Sequence, residues 1–494
     1  MKKSILGVGI LALLTLSGCL TVVGPDYHAP KLPETGVQST NELYTAGLEC
    51  WWTTLKDPEL TVMVEESLQN NHDLKSAVAA VRAARARLGI EKAALGPQMN
   101  GVGNYMRNRS SDEVTRTGEY DLYHTGFDAS WEIDLFGGTH RSVEAAVASL
   151  EAQDANRADV QVSLAAETAQ SYVLLRAYQQ RLRVACGNLD LQQNTFNLLQ
   201  SRFDSGLSDE LALLQSRYNL ESTRATIPQL KTGVEQSLNA LAILTGVMPG
   251  TLHERLNADG KIPVADDQSV IGIPADLLRR RPDVRRAERE LAAQTARIGA
   301  ATADLYPKFT LTGSIGIESL HLDSFGDSGT QFYSFGPGIR WALFRSGSIR
   351  QNIKVQEAKQ EQYLSVYEKT ILIAVQETRN ALTGFRNEQL RIKALDAAVS
   401  AARTATERAE DQYKNGLKDF ENVLDSQRSL LTYEDQLVQS RSSITLNLIR
   451  LYKALGGGWK PESGACTRNS SAEKPGVDTM KMIVNGKNEE RGHE

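Results

Sequence analysis

Seven histidines and four cysteines are the residues of this 494-residue chain best suited to hold a metal or act as nucleophiles. The histidines stand at 28, 72, 124, 140, 253, 321 and 493, with no HExxH motif and no pair four apart. Zinc-assisted hydrolysis therefore has no visible ligand set. No Gly-x4-Gly-Lys-Ser/Thr loop is present either, so nothing in the chain could couple nucleotide hydrolysis to movement. Cys50, Cys186 and Cys466 lie far apart without a CxxC and read as incidental thiols, Cys186 as a small apolar residue beside Val184 and Ala185. A Cys50–Cys466 bridge stays open. Met99 and Met106 are too few for a copper relay and read as packing. No catalytic or metal-binding residue is assigned.

Cys19 has a different setting. Lys2 and Lys3 precede an apolar run from Ile5 to Leu16, too short to span a bilayer but proportioned like a secretory signal peptide. Leu16-Ser17-Gly18-Cys19 then resembles the bacterial lipobox, where cleavage leaves a lipid-modified cysteine at the new N-terminus. The expectation is an N-acyl and S-diacylglycerol Cys19, since stable attachment takes more than one acyl chain. No other cofactor is expected. Leu20, rather than Asp, follows the cysteine, which points to the outer membrane.

These features belong to a chain built for long helices. Lys and Arg number 55 against 60 Asp and Glu, a formal charge of −5, which leaves no broad basic surface and disfavours nucleic acid as a partner. Aromatics make up 6% and prolines number 14, a composition of helices rather than sandwiches or propellers.

Sliding the chain against itself by 210 residues aligns positions under backbone or packing constraint. Leu68 falls on Leu278, Asp73 on Asp283, Gly89 on Gly299, Pro97 on Pro307, Trp131 on Trp341, Gly137 on Gly347, Phe203 on Tyr413, and Gly206-Leu207 on Gly416-Leu417. One unit is duplicated, each copy reading helix, strand, strand, long helix, glycine turn, second helix. Proline is absent from Gln98 to Ile227 and from Gly338 to Lys460, so the helices can be very long. The stretch from Thr139 to Asp204 alone predicts about 100 Å of helix. Leu175, Tyr178, Leu182, Ala185 and Leu189, and then Phe385, Ile392 and Val399, imply coiled-coil packing. Gly206 and Gly416 cap the reversals.

Between the helices the hydrophobic period changes to two. Tyr123, Phe127, Ala129, Trp131 and Ile133 alternate with His124, Asp128, Ser130 and Glu132. Phe309, Leu311, Ile315 and Ile317 do so in the second copy, as do Tyr333, Phe335, Ile339 and Trp341. Segments of roughly ten residues with one oily and one wet face suit a transmembrane β-barrel. Four strands cannot enclose a lumen, and lipid forbids an open sheet edge, so the barrel must be shared between chains. Two chains would give eight strands and three would give twelve; periodicity alone does not choose.

The motifs GPDYHAP, WWTTLKDPEL with NNHDL, WEIDLFGG, IPADLLRRRPDVRRAERELAAQTARIGAATADLYPKFTLTGSIG and GPGIRWALFRSG resemble the TolC-like outer-membrane factors. In particular they look like the lipoprotein (OprM/NodT-like) branch that serves RND-type efflux pumps. The resemblance covers about residues 19–456. It implies a homotrimer with a shared twelve-stranded barrel, an α-helical tunnel through the periplasm, a periplasmic membrane-fusion adaptor and an inner-membrane pump as partners. It also implies roles for the tips. Tyr413, Lys418 and Asp425 match positions that hold the periplasmic mouth shut, three Asp425 side chains forming a cation-favouring ring. Asn422 stands where TolC carries a second acid, which implies weaker cation selectivity here. Gly206, Leu207, Gly416 and Leu417 match positions that meet the adaptor.

The organisation expected is a signal peptide at 1–18, a lipid-anchored segment at 19–58, a first repeat at 59–246, a linker at 247–273, a second repeat at 274–456 and a polar, disordered tail at 457–494. Strands are expected near 98–109, 122–134, 308–320 and 331–343, with hairpin tips near 206 and 416. The functional expectation is a passive outer-membrane efflux duct for small molecules and not an enzyme. A coiled-coil envelope lipoprotein with a tethering role and no pore is the alternative, against which the two-faced strands argue.

Overall fold

The computed structural model describes residues 22–30, 48–109, 111, 113, 118–257, 260–264 and 280–459. The expected leader, Cys19 and the tail from 460 onward lie outside the described residues, as do parts of the anchored segment and of the linker.

Two helices open the first copy where one is expected, α1 (Pro58–Asn70) and α2 (His72–Ala93). Asn71 separates them because its side-chain oxygen accepts from the backbone amides of Asp73 and Leu74, at 2.8 and 3.1 Å. That arrangement starts a new helix instead of extending the old one. Strands β1 (Gln98–Arg109) and β2 (Glu119–Ile133) follow, then α3 (Gly138–Asp204), α4 (Glu210–Thr245) and the short α5 (His253–Leu256). The second copy repeats the order with α6 (Pro282–Ala303), β3 (Lys308–Ser319), β4 (Gln331–Arg340), α7 (Ser348–Lys414) and α8 (Phe420–Ala454). Helices α3 and α7 each run 67 residues, about 100 Å. Both begin after a left-handed glycine, Gly137 (φ 76°) and Gly347 (φ 80°).

The strands form one antiparallel sheet in the order β1-β2-β3-β4. Phe127 lies opposite Gly101 and Ile315, and Asp128 lies opposite Asn100 and Ser314, so the two expected faces are kept across the sheet. On the apolar face Met99, Phe127, Ile315, Tyr333, Phe335 and Ile339 are exposed. β2 begins at Glu119 rather than 122, because Arg109 at the end of β1 still pairs with Glu119. β4 ends at Arg340 rather than 343. As an edge strand it has a partner on one side only, and Trp341, Leu343 and Phe344 are left 55, 78 and 86% exposed.

Helix packing begins with small residues. Ala145, Ala148, Ala152, Ala155 and Ala158 on α3 are buried at steps of three and four, and α6 meets that helix with Ala292, Ala293, Ala296 and Gly299. The largest core lies at mid-height. There the Trp51 ring stacks on Tyr452 at 5.3 Å and meets Trp52 edge-on at 5.8 Å, amid Leu60, Met63, Leu175, Leu241 and Ile449. Cys50, beside these tryptophans, is disulfide-bonded, so it is not the incidental thiol expected; its partner lies outside the described residues. Cys186 is a free, exposed thiol. Among the described residues no helix is long and apolar enough to cross a membrane, which says nothing of the strands.

Candidate functional site

The side chains of interest gather at three places: the hairpin tips, the seam between the hairpins, and the junction of sheet with helices. Each tip is set by its glycine. Gly206 (φ 70°) and Gly416 (φ 69°) take the left-handed conformation that ends α3 and α7. Leu207 N–H then reaches back to Arg202 O at 2.8 Å, and Leu417 N–H to Gln412 O at 2.8 Å. In many such caps the following apolar side chain folds onto the helix. Here Leu207 and Leu417 stand 76 and 71% exposed, with Leu211 and Leu214 exposed beside the first tip.

Of the three residues expected at the periplasmic mouth, Tyr413 alone has side-chain contacts among the described residues. Its ring packs edge-on against Phe420 at 5.2 Å, and the Arg202 guanidinium lies over it at 4.8 Å. Arg202 Nη2 also donates to the Lys414 carbonyl at 3.3 Å. The Tyr413 hydroxyl has no hydrogen bond among the described residues, and Lys418 and Asp425, both exposed, have no side-chain bond or ion pair among them. Under the tip lies an apolar plug of Leu199, Phe420, Val423 and Leu424.

Above this plug the seam between the hairpins turns polar. Arg181 on α3 forks onto Asp435 on α8 at 2.6 and 3.1 Å. Asn188 donates to Glu434 at 2.9 Å, which also receives Arg403 from α7 at 2.8 Å. Gln427 donates to Thr195 at 3.0 Å and to Glu410 at 3.1 Å. Arg428 donates to Asn219 at 3.0 Å and lies over the Tyr218 ring. Gln192, 2% exposed in the same seam, has no partner for either amide atom among the described residues. Within the second hairpin Leu395, Val399 and Leu437 form an apolar cluster, and the bonds from Arg403 to Glu434 and from Gln427 to Glu410 are also internal to it, whereas the contacts that α3 and α4 make with α8 in this stretch are polar. Sequence reading missed Arg202 and the seam. A basic residue in the last turn of a helix is an ordinary end cap, and partners some 200 residues away leave no local pattern.

At the junction, residues 22–30 run as a strap across α3 and α6. Val23 N–H donates to Phe136 O at 3.2 Å, and Arg141, 4% exposed, donates to the carbonyls of Val23 and Gly24 and to Asp26 at 2.7 Å. The Asp26 carboxyl is held below its ordinary range chiefly by the hydrogen bond from Arg141 and then by its charge. Gly24 sits so close to α6 that a β-carbon there would lie 2.3 Å from the Gly299 Cα. Tyr27 donates to Glu288 at 3.3 Å with Arg289 over its ring, and burial raises its phenol pKa. Each copy also anchors a tryptophan here: the Trp131 indole donates to Leu95 O at 2.8 Å and the Trp341 indole to Leu305 O at 3.0 Å. Above the junction, the polar face of the sheet carries His124, Asp128, Ser130, Glu132, Thr312, Ser314 and Glu318. Among the described residues no cluster of three or more His, Cys, Asp or Glu is placed to hold a metal ion.

The duplication and the wall have counterparts in known proteins. The outer membrane efflux protein family matches residues 63–247 and 273–457, two stretches whose starts are 210 residues apart. The antibiotic efflux pump outer membrane protein ArpC of Pseudomonas putida is 30% identical over 490 residues, covering 96% of this chain and all of that protein. Nodulation protein T of Rhizobium leguminosarum bv. trifolii is 31% identical over 467 residues, covering 92% of this chain and 97% of its own. Among solved structures, the outer-membrane channel OprN superposes with a TM-score of 0.83 at 34% identity, over 89% of this chain and all of that one. A twice-repeated helical hairpin, a two-faced open sheet and these likenesses lead to one conclusion: the chain belongs to the outer membrane efflux protein family and is an outer-membrane efflux channel of TolC-like fold.

Proposed function

We propose that three copies of the chain close a passive duct, each contributing four of twelve strands, and that small molecules delivered by an inner-membrane pump of the RND type and a periplasmic adaptor leave through it. The observation that carries this reading is the open sheet, with an apolar face, a polar face and two unpaired edges. In lipid such edges must be paired. The repeat supports the same closure: α6 packs between α3 and α7, while its repeat mate α2 packs mainly on α3 and leaves Ile90 69% exposed. The α7 helix of a neighbouring copy fits that place.

The N-terminal cysteine fits a lipid anchor at the periplasmic rim. Val22 is so close to Gly137 that a β-carbon there would meet it at 2.9 Å, so the described strap that follows the cysteine in sequence is held at this junction. Cys50 instead lies beside the core around Trp52 and Ala165, about 40 Å along α3 from Gly137. At the far end, Tyr413 and Arg202 hold the resting mouth, Lys418 and Asp425 face neighbouring copies, and Asp425 rings the aperture. Leu207 and Leu417, presented by Gly206 and Gly416, offer apolar knobs to the adaptor. Planar-bilayer recording of the purified protein tests the duct: stepwise ion currents support it, and a stable monomer without current at any voltage overturns it.

A further inference from the structure

The barrel wall holds a second constriction candidate, far from the hairpin tips. Near the outer end of the sheet, His124 on β2 lies opposite Glu318 on β3, and Gly316 on β3 lies between Gly126 on β2 and Phe332 on β4. All these positions share the polar face. The two glycines are enforced by backbone: a β-carbon at Gly126 would lie 2.4 Å from Ile315 O, and one at Gly316 would lie 2.3 Å from Thr125 O. The wall is therefore bare at this level, and Phe332 lies across the gap, its Cε1 2.9 Å from where a Gly316 β-carbon would be. An aromatic ring over a strand glycine is a recognised way to fill such a gap. The Phe332 ring is 5.0 Å from the His124 ring at a tilt of 35°, and His124 Nδ1 is 3.7 Å from a Glu318 carboxylate oxygen. The Glu318 side chain remains 47% exposed, so its charge still faces the space enclosed by the sheet.

We propose that Phe332, His124 and Glu318 form a binding ring in the outer part of the lumen for aromatic organic cations. The inference rests on the reading of the polar face as the lumen of a three-chain barrel. Closure then puts three aromatic faces and three carboxylates at one level, the pairing that draws a flat or bulky cation to a π surface and compensates its charge. At deeper levels the same face carries acids at Asp128 and Glu132 among the hydroxyls of Ser130, Thr312, Ser314 and Ser334 but no aromatic ring, so the pairing of ring with carboxylate is found at this level. The ring would act in series with the periplasmic mouth and slow or select cargo at the exit.

The test uses purified full-length protein in planar bilayers with tetraphenylphosphonium added on the outer side. Wild-type current should be blocked, with the half-blocking concentration raised about tenfold in Phe332→Ala and in Glu318→Gln, while Phe332→Tyr keeps wild-type block. Ser314→Ala, on the same face outside the ring, should leave it unchanged. Wild-type currents with block unaffected by Phe332→Ala and Glu318→Gln would overturn the proposal, as would relief of block by Asp425→Asn alone, which would place the cation at the periplasmic mouth. Absence of any wild-type current would instead overturn the channel reading, and this ring with it.

Discussion

The Arg202 guanidinium and the Tyr413 ring, 4.8 Å apart, join the first hairpin tip to the second through the face of the ring and not through the phenol. Tyr413→Phe should therefore leave the resting mouth closed. Tyr413→Ala and Arg202→Ala should each weaken closure by about 0.5–1 kcal/mol per copy. Over three copies that is roughly tenfold or more in open-state occupancy, read as single-channel open probability. Equal effects of the Phe and Ala variants would contradict the geometry.

Gln192 is a buried amide without a hydrogen-bond partner among the described residues, between the Asn188–Glu434 and Thr195–Gln427 contacts that join α3 to α8. Gln192→Leu removes the unsatisfied group and should stabilise the closed protein by about 1–3 kcal/mol, seen as a higher unfolding temperature in detergent. The same variant should open less often in a bilayer. A lower unfolding temperature would mean that the amide has a partner in the assembled protein.

Asp425 is exposed and makes no ion pair among the described residues, as its proposed place at the aperture requires. Asp425→Asn should reduce the preference for cations over anions, measured as a shift of reversal potential toward zero in a salt gradient. An unchanged reversal potential would place the selective charge elsewhere in the lumen.

The pair of His253 and Glu235, joined at 2.8 Å, carries a pH signature. The hydrogen bond to Glu235, then that to the Gly250 carbonyl, raises the imidazole above its ordinary 6.5, while His253 lowers Glu235 below its ordinary 4.5. The raised histidine contributes stability that is full below 6.5 and fades as pH climbs through its folded value. The lowered glutamate contributes stability that is full above 4.5 and fades as pH falls through its own folded value. The pair thus acts fully between 4.5 and 6.5. An NMR titration of the imidazole should give a midpoint above 6.5 in the wild type and a lower one in Glu235→Gln. Coincident midpoints would contradict the contact.

What the sequence made legible was whatever repeats or alternates. The 210-residue offset, the glycine tips and the two faces of β2 and β3 all follow from local patterns that two copies reinforce. The end of β4 was misjudged because Trp341 and Leu343 continue the alternation while the strand lacks a neighbour on its outer edge. The strap was invisible for another reason: Arg141 meets Asp26 across 115 positions, and neither residue type announces a partner. Arg202 was lost in the same way, as one cation among 55 basic residues at the end of a helix. Cys50 looked incidental because cysteine spacing carries no information on pairing across a long chain.

In the proposed assembly the polar face of each four-stranded sheet lines one water-filled lumen shared by three copies. The most direct measurement places a cysteine at Ser314 on that face, or at Ile315 on the other, in a Cys186→Ser background, and applies a charged methanethiosulfonate to a conducting bilayer. Ser314→Cys should lose current in three steps while Ile315→Cys keeps it. Block of the Ile315→Cys current, or a Ser314→Cys current that falls in a single step or not at all, would contradict the account.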